Sequence, residues 1–217
     1  MRKPSRHPIV KAGVNRAKCR NRVLLVLALA LAPLRGLATT VVAPEFDSLV
    51  AQADYIVRGV VTAINAEWRT DTYGQHIFTK VKFEVREVIK GTPPSPLVLE
   101  LLGGRIGKYQ MVVDGTPTFI VGEESVLFVH GNGRQFCPLV AIMYGMYPVA
   151  LDTASGQRLV HRSNGSPLYD VKDVSRPMTA ANALGKGAAR PLTSAEFASK
   201  IRSSAAQQPN PPPANAN

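Results

Sequence analysis

The stretch HIFTKVKFEVREVIKG, residues 76–91, is the segment that determines the fold class. Apolar or β-branched side chains alternate here with charged ones, at Thr79, Val81, Phe83 and Val85. Such alternation predicts a strand with one buried and one solvated face, which is typical of antiparallel sheets. The alternation breaks between Val85 and Val88, so we expect a β-bulge near Arg86 or Glu87.

The preceding segment, YIVRGVVTAINAEW at residues 55–68, is also rich in β-forming residues. We expect one face of it to carry Val57, Gly59, Val61 and Ala63. A glycine inside a strand marks a bend or a bulge, so Gly59 is expected to interrupt the regular pairing.

Three more β-rich segments follow, LVLELL (97–102), FIVGEESVLFVH (119–130) and YPVALDTASGQRLVHR (147–162). The last of them is predicted to be a hairpin around Ser155 and Gly156. Short strands separated by turn residues indicate a small antiparallel sandwich or barrel, and therefore a mainly β fold.

Two short helices are predicted beside these strands. Near the N-terminus, apolar residues recur at helical spacing, at Phe46, Leu49, Val50 and Ala53. Near the C-terminus, Thr193 and Glu196 have the spacing of a capping box, and Phe197 and Ile201 share a helix face. We expect this second helix, 193–205, to dock at the periphery of the domain.

The glycines of LLGGRIG, residues 101–107, raise the question of a phosphate-binding loop. A Walker loop needs Lys followed by Ser or Thr, but here Lys108 precedes Tyr109. The glycine spacing does not fit the dinucleotide fingerprint either, and the residues that follow favour strand and turn over helix. We interpret these glycines as a bend in a sheet or a close approach of a loop to it.

The first 38 residues are predicted to be a signal peptide. Residues 2–22 hold eight Lys or Arg and no acidic residue, and residues 23–34 are an apolar run of 12. Small residues at Gly36 and Ala38 suit a cleavage site. The run is shorter than the roughly 20 residues that a membrane-spanning helix needs, so we expect export without a membrane span after cleavage.

Removing this segment changes the charge of the protein. The whole chain carries a net charge of +11, but residues 39–217 hold 17 basic and 15 acidic residues, a net charge of +2. A nearly neutral surface does not attract a polyanion, so nucleic-acid binding is excluded as an expectation.

The exported chain is expected to have one β domain, residues 39–178. A linker over 179–192 leads to the short helix, and residues 206–217, rich in proline and polar residues, are expected to be disordered. Only Cys137 remains after cleavage, so no internal disulfide is expected.

Few residues offer catalytic chemistry. The histidines of the exported chain, His76, His130 and His161, do not lie at metal-ligand spacing, and no cofactor or metal is expected. Cys137 is a candidate thiol nucleophile, but its apolar neighbours Phe136 and Leu139 favour a buried and unreactive thiol. Because catalysis usually leaves a cluster of titratable loop residues, an interaction module is the better hypothesis.

Part of the pattern resembles a known family. Ala53-Asp54 before a long strand, the Phe83–Gly91 strand ending in Lys-Gly, and the Val121–Leu127 segment resemble the netrin-like, OB-type domain of tissue inhibitors of metalloproteinases. The chain also looks like a group of uncharacterised bacterial secreted proteins. The resemblance spans residues 46–131 and implies an OB-like barrel.

The resemblance also implies a protein partner, of the class of secreted metalloproteases. Those inhibitors place an N-terminal cysteine on the protease zinc, whereas this chain would begin TTVVAP. The partner-binding residues by this hypothesis are Thr39, Thr40, Val41 and Val42.

Two alternatives stay open. One is a carbohydrate or cell-wall binding module that uses aromatic side chains such as Trp68, Tyr73 and Tyr109. The other is a thiol enzyme built on Cys137. An exported, periplasmic or extracellular, non-enzymatic binding module is the first hypothesis.

Overall fold

The structure is a computed structural model that describes residues 42–72, 74–178 and 190–208. Its elements, in chain order, are α1 (Phe46–Gln52), β1 (Tyr55–Asp71), β2 (Gly74–Lys90), β3 (Leu97–Leu102), β4 (Gly104–Ile106), β5 (Tyr109–Met111), β6 (Glu124–Val129), β7 (Met146–Leu151), β8 (Arg158–Val160) and α2 (Ser194–Gln207). Two 3₁₀ helices, Ile142–Gly145 and Val171–Ser175, lie in the connections.

Six strands form one antiparallel sheet in the order β3-β2-β1-β6-β7-β8, and β4 pairs with β5 in a small second sheet. The predicted mainly β fold is confirmed, and so are the hairpin at 147–162 and the helix at the N-terminal side. The predicted barrel is not closed: among the described residues, no pairing joins β3 to β8.

The reason for the open sheet is that both outermost strands already have other partners. The side chain of Asn132 accepts from the Glu100 N–H and donates to the Val98 carbonyl, so it covers the edge of β3. At the opposite edge, the Val160 N–H of β8 donates to the Leu192 carbonyl at 2.9 Å.

The predicted bulges on β1 and β2 are confirmed. Arg58 pairs with Glu87 and Gly59 with Val85, which leaves Arg86 without a partner in the ladder. A Cβ at Gly59 would lie 3.0 Å from the Glu84 carbonyl oxygen, so the close approach of the two strands explains the glycine.

A further bulge changes the face that β1 presents. Val61 pairs with Phe83, and Ala63 pairs with Lys82, so Thr62 is the extra residue. From this point Ile64 continues the face of Val61 and Val81, and Ala63 lies on the face of Lys82. The prediction that Ala63 shares a face with Val61 was therefore wrong, because a bulge of one residue reverses the alternation.

Different parts of the sheet are covered on opposite faces. On one face, side chains from β1, β2, β3 and β6 pack together with the segments near Phe119 and Leu139. The opposite face packs α1, α2 and the loops near Leu168 and Val174 against β6, β7 and β8. The sheet thus separates two hydrophobic clusters.

The C-terminal helix α2 has the predicted capping box between Thr193 and Glu196. Its Phe197 is fully buried, with ring centroids 5.0 Å from Tyr147, 6.0 Å from Phe46 and 6.1 Å from Phe128. The helix docks on the domain as predicted, and its buried face completes a core cluster.

Several predictions lie outside the described residues: the signal peptide 1–38, most of the linker 179–192 and nearly all of the tail 206–217. Residues 206 and 207 belong to α2. Within the described ranges, no helix is long and apolar enough to cross a membrane.

Candidate functional site

A cleft of about 470 Å³ opens on the face of the arm formed by β1 and β2. On one side, Ile64 and Ala66 of β1 lie beside Thr79 and Val81 of β2. The β4–β5 hairpin and the following loop, 112–119, form the other side. The bulge at Thr62 matters here, because it turns Ile64 and Ala66 toward the cleft.

The glycines of residues 101–107 hold the hairpin against the arm. The Gly103 N–H donates to the Ile77 carbonyl at 2.7 Å, and the Thr79 hydroxyl donates to the Gly103 carbonyl at 2.7 Å. Gly104 has φ 139°, and a Cβ there would overlap the Thr79 hydroxyl. The prediction of a close approach to the sheet is confirmed, and β4 and β5 follow where a phosphate loop would have a helix.

Two aromatic side chains meet between the arm and the hairpin. The rings of Trp68 on β1 and Tyr109 on β5 are 5.6 Å apart between centroids and cross at 74°. They stay 40% and 55% exposed. The Lys108 ammonium lies 5.3 Å from the Tyr109 ring. Of the three predicted aromatic residues the structure brings these two together, and Tyr73 lies outside the described residues.

The lining is mostly apolar, with a few polar groups. Arg105 is the single titratable side chain among the described lining residues, and Gln110 and Thr118 add neutral polar groups. Ile64 and Val112 expose apolar surface at the cleft. Such a lining offers van der Waals contact and scattered hydrogen bonds, which are features of recognition sites.

Sequence reasoning missed Ile64 and Val112 as members of this surface. Ile64 falls on the solvated face if the alternation of β1 is read without the Thr62 bulge. Val112 sits in a segment that resembles any other turn. The single usable signal was the group of three glycines, which indicated a loop lying against the sheet.

The predicted thiol, Cys137, is 2% exposed and packs in the cluster that contains Leu99 and Leu139. Burial raises the pKa of its thiol, which keeps it protonated and poorly nucleophilic at neutral pH. This is the environment expected from its apolar neighbours.

The predicted N-terminal binding residues are described only in part. Thr39, Thr40 and Val41 lie outside the described residues, and Val42 is 83% exposed. Just after it, the Ser175 hydroxyl donates to the Pro44 carbonyl at 3.2 Å and to Glu45 Oε2 at 2.9 Å.

His130 has a structural contact at the end of β6. Its Nδ1 lies 3.0 Å from Asp54 Oδ1, and the Gly131 N–H donates to Asp54 Oδ2 at 2.8 Å. Partial burial acts to raise the pKa of Asp54, but the bonds from Gly131 and His130 outweigh it and lower the pKa. In the described ranges, no group of three or more His, Cys, Asp or Glu could hold a metal ion.

The cleft and the neighbouring aromatic pair are the candidate recognition surface in the described part of the chain. The resemblance to netrin-like domains stays a prediction. No protein-family model matches the chain, and no curated protein is significantly similar to it.

Proposed function

We propose that this protein is an exported, non-enzymatic binding module that recognises a protein partner through the cleft between the β1–β2 arm and the β4–β5 hairpin. The observation that carries the proposal is the proximity of exposed apolar side chains. Ile64 and Val112 line the cleft, and Trp68 and Tyr109 lie just beyond its lining on the same two elements, β1 and the β4–β5 hairpin.

The chemistry of the rim favours a protein. Trp and Tyr are enriched among the residues that dominate protein interfaces, because each buries a large rigid area and keeps one polar group. Arg105 and Lys108 add positive charge beside the aromatic pair. Apolar anchors surrounded by polar and charged groups are the usual composition of such an interface.

A carbohydrate is the second candidate, and the exposure of Trp68 and Tyr109 favours it. Sugars stack on the flat faces of aromatic rings. Here the two rings cross at 74°, so they do not form one flat platform. Because of this geometry, a carbohydrate is a less favoured ligand than a protein partner.

The thiol-enzyme alternative is the least supported. Its nucleophile would be Cys137, which is buried and whose pKa is raised by that burial. A thiol acts as a nucleophile in its thiolate form, so both properties oppose the role.

The class of protein partner follows from the resemblance to metalloproteinase inhibitors. It makes a secreted metalloprotease the first partner to test. Val42, the described residue of this segment, is exposed. In this arrangement Thr39, Thr40, Val41 and Val42 would lie in a protease cleft as an extended strand.

The test is affinity capture with residues 39–217 as bait, using envelope and culture-supernatant fractions of the source organism. The proposal expects a protein that binds the wild type and is lost with Trp68→Ala and Tyr109→Ala. Leu151→Ala is the matched control, because Leu151 is also an exposed apolar residue but lies on β7, outside the cleft lining. Equal capture by all variants would overturn the role of the cleft.

Two further experiments distinguish the classes of partner. Deleting residues 39–44 should weaken binding of a captured metalloprotease, and unchanged affinity would exclude the inhibitor-like arrangement. Retention on insoluble cell-wall polymer that depends on Trp68, together with an absence of captured protein, would favour the carbohydrate candidate.

A further inference from the structure

The outer half of β1 has an open edge. β6 pairs with β1 only from Tyr55 to Val60, and the turn before β6 adds bonds between Val61 and residues 122 and 123. Beyond that point, no strand among the described residues pairs with the outer side of residues 63–71. Nine residues of strand span about 30 Å.

The other edges of the large sheet are protected. Asn132 covers β3, and Leu192 covers β8. The free side of β2 beyond Phe83 is interrupted by two bulges, which disrupt a regular ladder of hydrogen bonds. Residues 63–71 contain no Pro, Gly or Lys, the usual residues that block an edge.

We propose that this edge pairs with the same edge of a second copy, so that two arms form one continuous antiparallel sheet around a two-fold axis. An isologous contact of this kind needs one self-complementary strand, because each residue meets its symmetry-related counterpart. In the edge between Ala63 and Asp71, an axis at Trp68 meets that condition over the longest paired stretch. An axis at Thr70 would also place Arg69 opposite Asp71, but it would pair only the last few residues of the edge.

The charges select the register. A two-fold axis at Trp68 places Glu67 of each copy opposite Arg69 of the other. An axis at Glu67 would place two carboxylates opposite each other, which is destabilising, and an axis at Ala66 makes no charge pair. Arg69 is held in place by Glu100 at 2.9 and 3.0 Å and by Glu67 at 2.7 Å.

On the face of the paired arms that does not carry Glu67 and Arg69, the two copies make an aromatic contact. Side chains directly opposite in an antiparallel pair lie on the same face, so Trp68 of one copy meets Trp68 of the other. Their exposed surface is thereby buried next to Tyr109, and both clefts open on the same side of the sheet. The pairing does not depend on the proposed function, but it occupies Trp68, so in the dimer Ile64, Tyr109 and Val112 are the exposed apolar residues that remain at each cleft.

The test uses pure protein, residues 39–217, which contain both described core clusters, without any partner. Sedimentation should show a species of twice the monomer mass that dissociates on dilution. Single cysteines then report the register, because opposite residues lie about 4.5 to 5.5 Å apart between Cα atoms, which is within disulfide range. Trp68→Cys should form a disulfide-linked dimer under mild oxidation, whereas Ala66→Cys and Glu67→Cys should not.

Two controls make the result decisive. The wild-type stretch 39–217 has one thiol, the buried Cys137, and should not cross-link. Leu151→Cys places an exposed thiol elsewhere and measures random collision. Cross-linking of Ala66→Cys or Glu67→Cys in place of Trp68→Cys would overturn the register, and a monomer at every concentration would overturn the pairing itself.

Discussion

The carboxylate of Glu124, the first residue of β6, is bound by the guanidinium of Arg58 on β1 and is only 7% exposed. Arg158 of β8 binds its other oxygen. Arg58 also donates to Glu87 of β2 at 3.0 Å, and Glu87 binds Arg202 of α2. One buried carboxylate therefore anchors a chain of ion pairs that joins four strands to the C-terminal helix.

Replacing Glu124 with Ala should lower the free energy of unfolding by about 3 kcal/mol, because it leaves a partly buried guanidinium without its main partner. Urea unfolding measures this. The matched control is Glu123→Ala, since Glu123 is the exposed neighbour and its replacement should change stability by less than about 0.5 kcal/mol. Equal effects at both positions would contradict the role given to Glu124.

Replacing Gly104 with Ala should destabilise the protein and move the β4–β5 hairpin. The positive φ costs about 1 to 3 kcal/mol for a residue with a side chain, and the overlap with Thr79 adds about 1 to 3 kcal/mol. Trp68 is the only tryptophan, so its fluorescence reports the loss of the contact with Tyr109.

Gly107→Ala is the control for Gly104→Ala. Gly107 has φ 57° with open space around its Cβ position, so only the backbone cost of about 1 to 2 kcal/mol applies. Its fluorescence should match that of the wild type. If the two variants behave alike, close contact with Thr79 does not position the hairpin.

Elements that one local pattern dominates could be predicted from the sequence. The alternation from Thr79 to Val85 is strong because one face of β2 is buried, and the capping box at Thr193 is read within four residues. The bulges near Gly59 and Arg86 were visible as a glycine in a strand and as a break in parity.

The cleft was not predictable in the same way. The bulge at Thr62 cannot be detected from the residue types around it, yet it determines the face of β1 on which Ile64 lies. Asn132 covers the edge of β3 although it lies more than 30 residues away along the chain, and no local pattern predicts such a contact. Closure of a barrel was expected, but it depends on whether the outermost strands find each other, which is set by long-range packing.

Cys137 should resist modification in the folded protein. Its thiol is buried and its pKa is raised by that burial, so both access and thiolate fraction are low. Labelling with a maleimide at neutral pH should therefore begin only when denaturant unfolds the chain. Rapid labelling of the native protein would bring the thiol-enzyme alternative forward again.

Glu196 should make the stability of α2 depend on pH. Hydrogen bonds from Arg190, and then from the Thr193 backbone and hydroxyl, lower the pKa of Glu196 from 4.5 to about 2. A carboxylate whose pKa is lowered by folding stabilises the fold above its unfolded pKa, and the contribution disappears as the pH falls through the folded value.

The difference in unfolding free energy between wild type and Glu196→Gln should thus be constant at neutral pH and shrink between pH 4.5 and about 2. The comparison with glutamine cancels the titration of the other carboxylates, including Asp54. A difference that does not change over this range would show that the ionised capping box does not stabilise the helix.

Asn132→Ala should expose the edge of β3. The substitution removes the bonds to Glu100 N–H at 3.1 Å and to the Val98 carbonyl at 2.7 Å, so we expect a loss of about 1 to 2 kcal/mol and faster aggregation. Light scattering during incubation measures the rate of aggregation. Asn164→Ala, an exposed turn residue, is the control, and equal aggregation of both variants would contradict the protective role of Asn132.

The burial of Phe197 has a consequence for the order of events during biosynthesis. The ring fills the space between Phe46, Phe128 and Tyr147, which lie far earlier in the chain. A nascent chain that has not yet released its last helix cannot complete this cluster. The cluster around Phe197 therefore closes only after synthesis has reached α2, and a chain that stops short of residue 194 is expected to leave Phe46, Phe128 and Tyr147 without this packing.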